Sequence, residues 1–156
     1  MMLMRKIRRK FKSLRLSWDS DEIAERKSIM GTYGLRRRKE ILIAQEILRN
    51  FRRRARELIS VKDERKMKAL LDRMAKLGLL AKGQGLDDIL ALKVGNVLER
   101  RLETLVWRKG MATTPKQARQ FIAHGHVRIG GKAVKSPSYM VPAEEEAAIK
   151  VDKGGG

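Results

Sequence analysis

Thr114-Pro115-Lys116-Gln117-Ala118-Arg119-Gln120-Phe121-Ile122-Ala123, followed past Gly125 by Val127-Arg128-Ile129-Gly130-Gly131-Lys132-Ala133-Val134, decides the fold class of this 156-residue chain. Thr114 is a helix cap, Pro115 suits the first turn, and Gln117, three residues after the Thr, completes a capping box. Helical spacing then buries Ala118, Phe121 and Ile122 and turns Lys116, Arg119 and Gln120 the other way. Beyond Gly125 the period falls to two. Alternating segments joined by Gly130-Gly131 predict a β-hairpin, because such a turn requires positive φ at both central residues. Tyr139-Met140-Val141 and Ile149-Lys150-Val151 are expected as two further short strands, on either side of the acidic turn Glu144-Glu145-Glu146. Helices followed by a small antiparallel sheet make the chain α+β.

Upstream the pattern is helical. A helix from Lys93 to Lys109 sets Val94, Leu98, Leu102 and Leu105 on one face, with Arg100 and Arg101 outside and Gly110 as the stop. Trp107 falls opposite the Leu98 stripe, a position for packing between domains or for stacking on a base. Asp63 to Leu77 is a helix of alternating charge that reads as support. Between these two, Gly78-Leu79-Leu80-Ala81-Lys82-Gly83-Gln84-Gly85 reads as a flexible hinge. It lacks the Lys-Ser/Thr ending of a phosphate loop. The strongest object in this half is Ile41 to Leu58, with Ile41, Ala44, Ile47, Leu48, Phe51, Ala55 and Leu58 in one stripe. Arg49, Arg52, Arg53 and Arg56 project from the opposite side, with only Glu46 and Glu57 near enough to offset them. A solvated face normally mixes signs. A face of guanidinium groups, which fork onto phosphate oxygens, points to a nucleic acid instead. Before it, a helix from about Asp21 to Met30 is expected to stop at Gly31 and Gly34, around Tyr33. The arm places Leu3, Ile7, Phe11 and Leu14 among basic residues, an amphipathic basic helix if it folds.

Composition narrows the partner. The chain carries 37 Lys and Arg against 18 Asp and Glu, a formal charge of +19. Eighteen of the basic side chains but only seven of the acidic ones lie in residues 1–60. Self-repulsion of that size disfavours a compact state unless a polyanion neutralises it. A hydrophobic content of 42% supports a core, whereas 4% aromatic residues do not support a surface of stacking platforms. With no cysteine there is no disulfide, no thiol nucleophile and no cysteine-ligated zinc. No apolar run approaches the roughly 18 residues of a membrane span, and the arm lacks the apolar region of a signal peptide. A cytosolic protein bound to something acidic is expected.

Arg101-Leu102-Glu103, Val106, Arg108, Gly110-Met111-Ala112-Thr113, Gln117-Ala118-Arg119-Gln120, His124-Gly125-His126-Val127, Gly131-Lys132, Val134 and Pro137-Ser138 are similar to the RNA-binding module named after small-subunit ribosomal protein S-four. The likeness extends to Tyr33-Gly34-Leu35-Arg36-Arg37-Arg38-Lys39-Glu40, Phe51-Arg52-Arg53, Ala55-Arg56-Glu57-Leu58, Leu86-Asp87, Ile89-Leu90, Leu92-Lys93 and Leu98-Glu99-Arg100. The whole resembles the archaeal and eukaryotic branch of the S-four family. That resemblance implies a helical domain over 1–97, with the glycine-containing linker near 78–85, and an alpha-L-like module with a C-terminal strand over 98–151. It implies a structural protein of the small ribosomal subunit, in the cytoplasm, that binds the 5′ domain of the rRNA directly and nucleates assembly. Neighbouring ribosomal proteins, mRNA beside the channel through which it enters, and an effect on decoding accuracy are implied with it. The RNA-binding set becomes Arg36, Arg37, Arg38, Lys39, Arg49, Arg52, Arg53, Arg56, Arg100, Arg101, Arg108, Thr113, Lys116, Gln117, Arg119, Gln120, His124, His126, Arg128 and Lys132. The chain lacks the zinc-binding cysteines of many bacterial members, which fits the archaeal branch. It also has a short arm and lacks the long basic tail of eukaryotic members.

His124 and His126, two apart at a helix end, do not share a face as zinc ligands would, so no metal or other cofactor is expected. The eight methionines read as core filler. No Ser/His/Asp set or carboxylate pair stands in a catalytic context, so no enzyme activity is expected. An RNA-modifying enzyme that carries the module as an accessory fails on length. A peripheral membrane protein rests on the arm alone. A non-ribosomal small-subunit biogenesis factor with the same module stays open at this level. If a large share of the basic residues meets phosphate, log K for folded rRNA should fall linearly with log salt, by roughly 0.7–0.9 per phosphate neutralised. Filter binding across a salt series measures it, and a slope near zero would remove the nucleic-acid reading.

Overall fold

The computed structural model describes residues 10–12 and 19–152. Leu3, Ile7 and Leu14 of the arm lie outside the described residues.

Four helices build the first unit: α1 (Ser20–Tyr33), α2 (Arg38–Val61), α3 (Glu64–Lys76) and α4 (Leu86–Ala91), with α5 (Val94–Glu99) packed against them. α1 is capped by Asp19, whose carboxylate accepts from the Asp21 N–H at 3.1 Å. It runs through Gly31 rather than stopping there, and ends at Gly34 in the left-handed region. One glycine in a helix costs about 1 kcal/mol, which the neighbouring turns absorb. α2 extends a turn beyond the expected span at its C-terminal end. It buries Ile41, Ala44, Leu48, Phe51 and Ala55 against α4 and α5, and Ile47 and Leu58, the other two residues of the expected stripe, are partly buried on the same core. The segment 78–85 is not a free hinge. Leu79 and Leu80 are buried in the first core, and a Cβ at Gly78 would lie 2.7 Å from the Arg100 guanidinium carbon. Its glycines mark tight turns between buried leucines. Gly85 then caps α4, its N–H donating to the Asp88 carboxylate at 2.8 Å.

The expected single helix from Lys93 to Lys109 is two helices. α5 ends at Glu99 and α6 (Leu102–Arg108) begins at Leu102. The reason lies in segment 139–141, which is not a strand of the sheet. The Leu102 N–H donates to the Tyr139 carbonyl at 2.8 Å, and the Val141 N–H donates to the Arg100 carbonyl at 3.0 Å. A sheet-like bridge between Arg101 and Met140 thus takes the backbone groups that a continuous helix would have used. The break also parts the apolar stripe. Leu98 belongs to a core with Ile41, Met74 and Ile89, while Leu102 and Leu105 belong to a second core with Ile122, Val127 and Val141.

The second unit packs α6 on α7 (Pro115–Ala123) beside a three-stranded antiparallel sheet. Strand β1 (Val127–Ile129) is central, flanked by β2 (Lys132–Ala133) and β3 (Ile149–Val151). Gly130 and Gly131 have φ of 55° and 84°, the turn their sequence demands. Thr114 caps α7 by accepting from the Gln117 N–H at 3.2 Å. The Gln117 side chain reaches past the cap residue and accepts from the Thr113 N–H and hydroxyl, both at 2.7 Å.

Gly34 lies at a close backbone approach between the units. Its φ is +62°, and a Cβ there would lie 2.5 Å from the Pro115 Cβ. Gly34→Ala should therefore lower stability by more than the ~1–2 kcal/mol of a left-handed alanine. Gly31→Ala, helical and with nothing within 4 Å of the added carbon, should raise it by up to about 1 kcal/mol. Opposite shifts in thermal midpoint check the pair.

Candidate functional site

Glu40 stands in the first turn of α2, fixed there by the Arg37 N–H, which donates to its Oε1 at 3.2 Å. Two arginines of the second unit converge on the same carboxylate. Arg101 Nη2 donates to Oε2 at 2.7 Å, and Arg119 forks onto both oxygens, at 2.9 and 3.3 Å. Four donors thus fill the four lone-pair directions of one carboxylate. Burial pushes the Glu40 carboxyl up, but the hydrogen bonds from Arg119 and Arg101 outweigh it and hold it below its ordinary range. Beneath the pair lies Glu103, which is wholly buried, 3.6 Å from both Arg101 and Arg119. Neither of its oxygens accepts a hydrogen bond. Burial pushes its carboxyl up to about 7, against the pull of the two guanidinium groups.

Three residues therefore differ from expectation in direction. Arg101 was expected outside and is buried. Arg119 was expected to face away from the core with Lys116 and Gln120, but turns to Glu40. Arg100 is also turned inward, donating to Glu146 and to the Val141 carbonyl, each at 2.8 Å. The helix break rotates Arg100 and Arg101 off the outer face that an unbroken helix would give them, whereas Arg119, on α7, is drawn inward by Glu40. Above Glu40 opens a cleft of about 400 Å³ lined by Lys10, Arg36, Arg37, Lys39, Pro137 and Ser138 among others. Arg36, Arg37, Arg38 and Lys39 are all exposed.

The α2 face keeps its cationic character. Arg49, Arg53 and Arg56 are exposed. Glu46 pairs with Arg49 at 2.6 Å and Glu57 with Arg53 at 3.8 Å, the two offsets the sequence offers. Arg52 is half-buried and donates to the Leu92 carbonyl. Together with Gln45, Leu48 and Val94, Arg49, Arg52 and Arg56 line a groove of about 550 Å³. By contrast, a groove of about 1040 Å³ beside α3 carries Glu64, Asp72 and Glu144 next to Lys68, Lys76 and Lys82. That neutral rim offers a polyanion nothing.

On the second unit Lys116, Gln120, Thr113 and Lys132 are exposed. His124 and His126 are exposed too, their rings stacked at 6.2 Å. Arg128 pairs with Asp152 at 2.8 Å on the sheet surface. Arg108 pairs with Glu99 at 2.9 Å and lies over the Trp107 ring at 4.6 Å. Trp107 packs on the second unit's own core rather than between units. Among the described residues no group of His, Asp or Glu stands where it could hold a metal, and no helix is long and apolar enough to cross a membrane. Sequence reasoning gave Glu40 and Glu103 no role. The available signal for Glu40 was a lone acid closing a run of four cations, Arg36 to Lys39.

A family model described as S4 domain matches residues 100–146. Over 148 residues the chain is 44% identical to the small ribosomal subunit protein uS4 of Ignicoccus hospitalis, covering 93% of this chain and 89% of that protein. The protein of the same name from Methanococcus aeolicus is 46% identical over 136 residues, covering 85% of this chain and 77% of its own. That of Metallosphaera sedula is 44% identical over 149 residues, covering 93% and 83%.

Glu40 and Glu103 should give opposite pH dependences in separate windows. Glu40, lowered in the folded state, contributes stability above the ordinary carboxyl value of 4.5 that is lost as pH falls further. Glu103, raised to about 7, holds a proton more tightly when folded, so its contribution is full below 4.5 and shrinks as pH rises to 7. The loss is at most ~3 kcal/mol by linkage. In urea denaturation across pH, Glu103→Gln should flatten the slope between 4.5 and 7 and leave the acid limb in place.

Proposed function

The chain belongs to the family of the small ribosomal subunit protein uS4, and from that membership we propose that it is a structural constituent of the small subunit that binds its rRNA directly. The extent of the likeness carries this reading. It runs over 148 residues, through the arginine face of α2 as well as the module, whereas the S4 domain match alone covers 100–146. A module by itself recurs on proteins of many functions. The division of labour follows unit by unit, with the boundary at the α5–α6 break rather than at the 97/98 boundary expected from sequence, because Leu98 packs in the first core: the basic helical domain before the break and the module from there to 151.

Contact with RNA falls to the exposed residues: Arg36, Arg37, Arg38 and Lys39 at the cleft, Arg49, Arg53 and Arg56 on α2, and Lys116, Gln120, His124, His126, Arg128 and Lys132 on the module. Arg52, Arg100, Arg101, Gln117 and Arg119, together with Arg108 and Thr113, which are exposed but already engaged by Glu99 and Gln117, hold those surfaces in place. Such a set reads phosphates and 2′-hydroxyls, and so reads the shape of a folded junction rather than a linear sequence. In keeping with the family, the RNA is the 5′ domain of the small-subunit rRNA, where early binding nucleates the body of the particle in the cytoplasm. Neighbouring small-subunit proteins, mRNA beside its channel of entrance and an influence on accuracy complete the proposal.

Co-sedimentation tests it. The protein should remain on mature small subunits after a high-salt wash, at about one copy per particle. Presence only on precursor particles would instead make it a transient biogenesis factor.

A further inference from the structure

Glu40 presents a contradiction that simple electrostatics does not resolve. A carboxylate at the edge of a cleft lined by Lys10, Arg36, Arg37 and Lys39 opposes a polyanion. Its side chain is nevertheless only 12% exposed, and its oxygens already accept from the Arg37 N–H, Arg101 and Arg119. No acceptor capacity is left for RNA. Its donors come from both units, and two of the three, Arg37 and Arg119, lie next to RNA-facing residues. Arg37 precedes Arg38 and Lys39, and Arg119 stands between Lys116 and Gln120 on α7.

We propose that Glu40 is a positioning residue for RNA recognition: by clamping Arg101 and Arg119 to the start of α2, it sets the relation between the Arg36–Lys39 run and the Lys116–Gln120 face. The inference rests on the rRNA-binding reading above. Generic affinity for a polyanion needs only net charge, but shape recognition needs two cationic surfaces held at one separation. Glu103 cannot take over the clamp. It lies 3.6 Å from both arginines, beyond hydrogen-bond range, and it is buried on the module side. Glu40 therefore raises selectivity for folded RNA while lowering generic attraction.

The test compares Glu40→Gln with Glu57→Gln, an exposed carboxylate farther along the same helix. Both remove one negative charge, and both are measured on folded small-subunit rRNA and on a single-stranded homopolymer RNA. Glu57→Gln should leave both affinities unchanged or slightly higher. Glu40→Gln should leave homopolymer affinity unchanged or higher while rRNA affinity falls about tenfold, with the far-UV circular dichroism of the wild type. Equal responses from the two variants would overturn the proposal. Should Glu40→Gln fail to fold, Arg119→Gln, which leaves the Arg101–Glu40 bond, reads the same ratio; an unchanged ratio overturns the proposal. Where all variants fold, the effects of Glu40→Gln and Arg119→Gln on the ratio should be non-additive, and additive effects would place Arg119 on RNA independently of the clamp. A wild-type protein with no preference for folded rRNA would fell the rRNA reading itself, and this inference with it. A retained preference insensitive to Glu40 fells the inference alone.

Discussion

One carboxylate, Glu40, sits under two guanidinium groups, and the relation between the halves of the molecule depends on it. The ionic quartet of Glu40, Glu103, Arg101 and Arg119 is largely withdrawn from water. Withdrawing charges is costly, and a pair so placed adds little net stability over an apolar contact. What it adds is geometry. A forked arginine–carboxylate bond has one orientation, whereas an apolar contact between two small units tolerates sliding. Gly34 reinforces that register, since α1 ends with its backbone against Pro115, at the first turn of the helix that carries Arg119.

Fixing the register matters because each unit has its own core. Leu98 and Leu102 belong to different cores, only the length of the α5–α6 break apart. The break is held open by segment 139–141, whose backbone completes the hydrogen bonding of Arg100 and Leu102. The same break aims Arg100 at Glu146 and Arg101 at Glu40, so two arginines that an unbroken helix would show to solvent become internal ties. In a chain of +19 charge, turning these cations onto the few carboxylates available lowers internal repulsion and leaves the remaining cations on the outside.

Local signals were legible wherever a short stretch determines its own conformation. The Gly130-Gly131 hairpin, the Thr114 cap and the α2 stripe follow from backbone sterics and helical period alone. So does the Arg49, Arg53 and Arg56 face, with its two compensating glutamates. Apart from α1 running through Gly31, the misread features depend on residues distant in sequence. Nothing within 93–109 announces the helix break, because the groups that replace its hydrogen bonds lie some forty residues on. Nothing within 78–85 shows that its glycines serve buried leucines, or that the Arg100 side chain lies over Gly78. Tyr139-Met140-Val141 has strand composition, but it pairs with the break rather than with the sheet. Glu40 follows four cations but carries no role in the sequence alone, and its partners become visible only once α2 and α7 are side by side.

Hydroxyl-radical footprinting of free small-subunit rRNA with this protein alone tests most directly that two surfaces in a fixed relation read one folded shape. Protection should appear at backbone positions well separated in the RNA sequence that converge on a single junction, and it should vanish when the RNA is unfolded. Protection confined to one contiguous run, or unchanged on unfolded RNA, would contradict it.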